Sequence, residues 1–314
     1  MRPEPGASGS LPAEAAPAGD RLLVVYLALT GVLAAATLTG TGLALAAAHA
    51  VAAAAVLALA RLPLPGSRAL RFLRIFLPVA VTPLLYTELG TLNQLVNPGY
   101  LDAVVQGWEA RLTGGQPSLY AARRWPALWL SELLHLGYFS YYFVVPAAAL
   151  AVWRKAGDRG LERAAVTVGL AFFLCYLVFA VFPVAGPRYE FPRIEGPPAG
   201  GAVFDLVHGV LEAGSSKGTA FPSSHVAAAA AALAAARRDA RRWFWILLVP
   251  VALLTAGTVY GRFHYAVDAA AGLVVAGVAY AATPVVVRRL GGAAGEDGGE
   301  GSGAGQGPDR ADEA

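Results

Sequence analysis

Eight stretches of this chain are apolar for long enough to cross a bilayer, and that constraint outweighs every other feature of the sequence. A helix needs about 20 residues, or 17 to 25 with tilt, to span the hydrocarbon. The runs fall at 22–38, 42–60, 69–88, 127–152, 163–183, 222–237, 242–259 and 263–288. Of the 314 residues, 56% are hydrophobic and 14% charged, whereas a soluble protein carries about 25% charged residues. Such a chain cannot cover its surface with polar groups, so its solvent is lipid. The expected fold is all-α, a polytopic transmembrane helical bundle of about six to eight spans. Only Leu38-Thr39-Gly40-Thr41-Gly42 separates the first two runs, which form either a tight reversal or one bent segment. No clear cleavage site follows the first run, so it does not read as a signal peptide.

The basic residues orient the bundle. With a cytoplasmic N-terminus, alternation places 17 of the 24 Lys and Arg inside, among them Arg71, Arg74, Lys155, Arg163, Arg237 and Arg238. That asymmetry follows the positive-inside rule and leaves both termini in the cytoplasm. Residues 1–20 and the acidic, Gly-rich 291–314 lack an apolar period and are expected to be disordered tails. The net charge of +3 is small and the basic residues are dispersed, which argues against a nucleic-acid partner. A single cysteine, Cys175, excludes an internal disulfide and a cysteine-based metal site. Two lysines against abundant Arg, Ala, Gly and Pro point to a GC-rich bacterial genome, and so to a bacterial cell membrane.

Two long segments remain on the outer side. Within 89–125, the stretch from Tyr100 to Glu109 has apolar residues at helical spacing and reads as an interfacial amphipathic helix. The segment 184–220, rich in Pro and Gly, reads as a long irregular loop, which in a compact protein is usually functional.

Nearly all the unusual polar residues fall in three stretches on that same face. These are Gly186-Pro187-Arg188-Tyr189, Phe221-Pro222-Ser223-Ser224-His225 and Gly261-Arg262-Phe263-His264-Tyr265-Ala266-Val267-Asp268. His264 and Asp268 are four apart, so on a helix they share a face. A carboxylate beside an imidazole fixes its tautomer and raises the basicity of the far nitrogen. Pro222, Ser223 and Ser224 sit where a helix begins, with Ser as its N-cap. Free amides at such a terminus attract phosphate, and His225 stands at the rim to deliver a proton. The helix over 222–237 spans only about 24 Å, so its start is sunk in a wet pocket near the headgroups. Arg188 and Arg262 add guanidinium groups suited to phosphate oxygens. Taken singly, the His–Asp pair also suits a structural helix closure and Pro-Ser-Ser an ordinary helix start. Together these groups describe covalent phosphoryl transfer through histidine.

Pro222-Ser223-Ser224-His225, and His264-Tyr265 followed by Asp268 and Gly272, resemble the second and third signatures of the type-2 phosphatidic acid phosphatase superfamily. Gly186-Pro187-Arg188-Tyr189, after Phe182-Pro183, is similar to its inositol phosphorylceramide synthase-like (inositolphosphotransferase) branch. The resemblance covers residues 85–290 and implies a six-helix lipid phosphatase/phosphotransferase domain there, with 21–84 as additional transmembrane helices. It implies that His264 attacks phosphorus to form a phosphohistidine, with Asp268 orienting it. His225 then protonates the leaving oxygen and activates the water or lipid alcohol that resolves the intermediate. Arg188, Ser223, Ser224 and Arg262 hold the phosphate oxygens, and neither metal nor other cofactor is implied. Val181 and Thr258 stand where the family's phosphatases carry Lys and Arg. These departures favour the transferase branch, with Lys217 a candidate replacement cation.

A different class of function is a lipid-binding or transport scaffold using the outer polar groups together with Glu132 and His135. No internal repeat supports a transporter, and a di-iron bundle needs a second such pair. No aspartate cluster suits a metal-dependent headgroup transferase. Glu132 and His135, in one span with Tyr138, Tyr141 and Tyr142, are expected to make helix–helix hydrogen bonds or headgroup contacts. His49 and His208 attract no functional reading. The two classes part on geometry, because the enzyme requires His225 and His264 to face one phosphate-sized space.

Overall fold

A computed structural model describes residue 11 and residues 16–291. Most of both expected tails (1–10, 12–15 and 292–314) lies outside the described residues. The structure is about 80% helical, with no strand among the described residues. In chain order the helices are α1 (Ala18–Ala36), α2 (Gly40–Ala60), α3 (Arg68–Ala80), α4 (Thr82–Val96), α5 (Asp102–Thr113), α6 (Pro117–Arg124) and α7 (Leu128–Phe139). There follow α8 (Tyr141–Val181), α9 (Pro187–Glu190), α10 (Ala202–Gly214), α11 (Ser224–Asp239), α12 (Arg241–Tyr260) and α13 (Ala266–Leu290). Six helical segments, with α3 and α4 taken as one, are long and apolar enough to cross a membrane. Valines and leucines stand exposed along them, as on Val51, Leu73, Val249 and Val274, the surface of a bundle whose solvent is apolar.

Each of the eight apolar runs coincides with helix, and two of them, 69–88 and 127–152, are each divided between two helices. The first two runs are separate antiparallel helices. Leu38 turns the chain in the left-handed conformation at φ 53°, and Thr39 caps α2 by accepting the Gly42 amide at 2.9 Å. The run 127–152 is not one helix, because α7 ends at Phe139 and α8 begins at Tyr141. A straight helix of 41 residues would then be about 60 Å long, yet both ends of α8 reach the same end of the bundle. The Tyr141 ring lies 4.5 Å from that of His225, and Phe182 packs on Phe221 at 5.7 Å. The reversal is at Gly157, whose φ of 63° and ψ of −159° leave the helix, a conformation open to glycine. α8 is thus a hairpin with arms 141–156 and 158–181.

At the centre lies α11, whose Ala227, Ala228, Ala229, Ala231, Ala232, Ala235 and Ala236 are all buried. Such small side chains let helices approach closely where lipid offers no hydrophobic drive between them. Both arms of α8 and α13 share one apolar core with α11, and α1 joins it through Tyr26, stacked on Phe173 at 4.6 Å. The expected segment 184–220 is only partly irregular, since it holds α9, α10 and a short 3-10 turn.

The end remote from the histidines is tied by ion pairs. Asp20 is buried inside α1, so the helix reaches further toward the N-terminus than the expected tail boundary at residue 20. Its two oxygens accept from Arg74 at 2.7 and 2.5 Å. Arg71 pairs with Asp158 and Arg163 with Asp239, while Glu162 accepts the Ala18 amide at 2.7 Å. Breaking one partner of a buried pair leaves an uncompensated charge and costs about 3–5 kcal/mol. Arg74→Met is therefore expected to lower the melting temperature in detergent sharply, and the double variant Asp20→Leu/Arg74→Met to recover most of the loss. An unchanged melting temperature in the single variant would contradict the pairing.

Candidate active site

The polar end is built where the starts of α11 and α13 meet. Ser223 caps α11, its Oγ accepting the Val226 amide at 3.3 Å. Its own amide donates to the Asp268 carbonyl at 2.9 Å. Gly272 makes this crossing close, because a Cβ there would come within 2.6 Å of the Ser223 carbonyl oxygen. Tyr265 caps α13, and Asp268 at the third helical position closes the capping box by accepting the Tyr265 amide at 2.8 Å. The backbone also ties the two ends of the segment 184–220 to each other. Val184 bridges Thr219, and the Ala220 amide donates to the Val184 carbonyl at 2.9 Å.

His264 stands in the turn before α13 rather than on it. Its Nδ1 lies 2.9 Å from the Ala220 carbonyl oxygen and 3.5 Å from Asp268 Oδ2. A carbonyl accepts only, so Nδ1 carries the proton and Nε2 is left with its lone pair. The expected orienting role of Asp268 is thereby shared. The carbonyl makes the hydrogen bond, while the carboxylate is near enough for electrostatics but spends its bonded oxygen on the cap. The His225 ring lies 6.1 Å from that of His264. Both line one small cavity of about 50 Å³, with Arg188, Tyr138 and Tyr86 among its walls. Tyr138 and Tyr141 flank His225, and Tyr138 Oη is 3.5 Å from its Nε2. The two histidines thus line one small cavity, the juxtaposition that separates the enzyme reading from a binding scaffold.

The other expected phosphate ligands separate. Arg188 lines the cavity and its buried Nη1 has no partner. Ser223 and Ser224 are buried and do not line it, and the Ser223 hydroxyl is committed to the cap. What α11 offers instead is its first amides, since those of Ser224 and His225 find no backbone acceptor in the described residues. Arg262 turns away altogether. Its left-handed backbone, φ 58°, sends the side chain behind the turn, where the guanidinium donates to the Pro192 and Leu119 carbonyls. Lys217 does not reach the cavity either; its ammonium sits 4.4 Å from the Tyr100 ring and 5.2 Å from that of Tyr189. Glu132 makes hydrogen bonds between elements, accepting the Val203 and Phe204 amides at 3.1 and 3.0 Å. His135 bonds the Ser131 carbonyl at 2.7 Å. No group of His, Cys, Asp and Glu able to hold a metal ion occurs among the described residues.

Two carboxylates of α5 escaped the sequence reading. The helix expected over 100–109 is present, but it buries Asp102, Val105 and Glu109 on one stripe against the site. Asp102 accepts the Ala185 and Gly186 amides, each at 2.8 Å, and the Tyr265 hydroxyl at 2.9 Å. Glu109 Oε1 accepts the Ala266 amide at the start of α13, while its Oε2 is buried without a partner. The spacing 102, 105, 109 is a helical stripe visible in the sequence, but nothing there showed which face would turn inward.

A family model described as the PAP2 superfamily matches residues 106–282, more than half of the chain. The chain belongs to that superfamily, a helical membrane fold whose members are generally phosphatases. No curated protein and no solved structure matches it.

Glu109 gives the site a pH signature. Burial pushes its carboxyl up to about 7, opposed by the amides of Ala266 and Val267 and assisted by the charge of Asp268. The folded value lies above the ordinary 4.5, so the unfolded chain loses this proton first and stability falls as pH rises from about 4.5 to about 7. Glu109→Gln keeps the shape and stays neutral. The wild type's melting temperature is expected to drop relative to this variant across that window and to run parallel above it. A difference that stays constant from pH 4 to 8 would show that Glu109 does not titrate there.

Proposed function

We propose that this chain is a metal-independent lipid phosphatase or phosphotransferase working through a phosphohistidine at the outer membrane face. The observation that carries the reading is the pair His225 and His264 lining one small cavity with Arg188. His264 Nε2, its lone pair free, attacks phosphorus, and the bond to the leaving oxygen breaks. That oxygen takes the proton of His225. The now neutral His225 removes a proton from water or from a lipid alcohol, whose oxygen displaces His264 and restores both rings. Arg188 and the first amides of α11 stabilise the charge on the phosphoryl oxygens. The outer placement is supported by the arginines gathered at the opposite end, Arg71, Arg74 and Arg163, as the positive-inside rule asks. The Gly186-Pro187-Arg188-Tyr189 stretch and the departures at Val181 and Thr258 support transfer of a phosphorylated headgroup, of the phosphoinositol type, over simple hydrolysis.

The test uses wild type and His264→Ala in detergent with EDTA, supplied with phosphatidic acid, or with phosphatidylinositol plus a lipid alcohol. Product phosphate and new phosphodiester lipid are measured together. Turnover is expected to vanish in His264→Ala and to fall about 10²–10⁴-fold in His225→Ala. A new phosphodiester lipid without free phosphate identifies the transferase. Equal turnover by wild type and His264→Ala would refute the histidine mechanism.

A further inference from the structure

Arg262, turned away from the two histidines, lines a cavity of its own. This space, about 180 Å³, lies between the last turn of α6 and the segment that follows α9, with Arg123, Arg193, Arg262 and Glu195 on its walls. His225, His264 and Arg188 do not line it. A wider cleft separates the two, sharing Arg188 with the histidine cavity and Pro192, Arg193 and Arg262 with this one.

The charges here are unbalanced. Three guanidiniums meet one carboxylate, which belongs to the exposed Glu195. Arg262 is only 4% exposed. Its two hydrogen bonds go to the Pro192 and Leu119 carbonyls, which carry no net charge, and its Nε is buried without a partner. Among the described residues, no ion pair includes Arg262 or Arg123. Arg123 is near enough for its charge to act on Arg262. Like charges gathered around a buried guanidinium are unfavourable until an anion joins them. A phosphate oxygen suits the gap, since it accepts charge-assisted bonds from several guanidinium N–H groups at once.

The surroundings select the carrier of that phosphate. Ala122 lines the arginine cavity, while its neighbour Ala121 lines a groove of about 460 Å³ between α6, α7 and α12. Leu130, Leu134, Ala256 and Val259 make that groove apolar. Tyr260, also on its wall, spends its hydroxyl on the Trp125 carbonyl at 2.8 Å. Exposed Tyr120, Trp125 and Trp129 mark this level as the membrane boundary. An anion site at headgroup depth thus adjoins a groove fit for a hydrocarbon chain. A soluble anion would use only the first.

We propose that Arg123, Arg193 and Arg262 hold the phosphate of an anionic membrane lipid, apart from the two histidines, with one acyl chain of that lipid in the groove beside α6. The assignment does not depend on the phosphohistidine reading.

Native mass spectrometry of the delipidated full chain in detergent tests it by counting lipids retained as their concentration rises. Every protein carries Arg188→Ala, which weakens binding at the histidines. The probes are phosphatidylglycerol, phosphatidylcholine and inorganic phosphate. One phosphatidylglycerol should bind about tenfold more tightly than phosphatidylcholine, the equivalent of one charge-assisted contact. Arg123→Glu and Arg193→Glu, both at exposed positions, should abolish that preference. Arg111→Glu, at an exposed outer arginine that does not line the cavity, should leave it intact. Ala256→Trp, at an exposed position of the groove, should weaken long-chain phosphatidylglycerol about tenfold and leave the dihexanoyl form unchanged. Equal affinities for the two lipids, an equal loss in Arg111→Glu, or retention of inorganic phosphate in place of lipid overturns the site. Unaltered long-chain binding in Ala256→Trp overturns the groove as the seat of the chain.

Discussion

The carboxylate of Asp102 accepts three hydrogen bonds from two places far apart in the chain: the adjacent amides of Ala185 and Gly186, and the hydroxyl of Tyr265. In a bundle surrounded by lipid, a buried backbone amide without a partner is costly. The turn leading to Arg188 leaves helical geometry at Gly186, φ 98°, and so cannot satisfy its amides within a helix. Asp102 does so from outside and, through Tyr265, holds that turn against the one bearing His264. The segment 215–223 is the third, bridged to Val184 through Thr219 and to the start of α13 by the Ser223 amide on the Asp268 carbonyl. The site is therefore a knot of three non-helical segments tied by hydrogen bonds.

Its rigidity has a further source in the alanines of α11. Because these side chains are small, α8 and α13 pack close to the α11 axis, and the pyrrolidine-and-serine start of α11 is fixed by helices on several sides. A side chain held on such a scaffold keeps its place, which is what the proposed electrostatic stabilisation of a phosphoryl group requires.

The sequence made the bundle legible because an unbroken apolar run has few other solutions in lipid, and all eight runs became helix. His225, His264 and Asp268 were legible for a related reason: in a chain so poor in polar residues, those that remain stand out and converge. What was hidden depended on direction. Arg262 is two residues from His264, yet the left-handed turn between them points it to the Pro192 and Leu119 carbonyls. Asp102 and Glu109 looked like the wet face of an interfacial helix, and only contacts spanning 83 to 163 positions reveal them as the buried face. The reversal at Gly157 was legible from the basic residues that separate the runs 127–152 and 163–183, while the break at Ser140 was hidden because it falls in uninterrupted apolar sequence.

The hydrogen bond that sets the tautomer of His264 comes from the main chain at Ala220. No exchange of side chain deletes a carbonyl. A residue larger than alanine at 220 would instead press on Gly186, where an added Cβ would itself come within 3.0 Å of the Ala220 methyl. The proton on Nδ1 of His264 is thus assigned by chain geometry and is shielded from ordinary mutation. It can be lost only by moving the strand of backbone that carries it, and then Arg188 moves with it. Evolution of this site is accordingly free to vary what surrounds the imidazole while its protonated nitrogen stays fixed by the path of the chain.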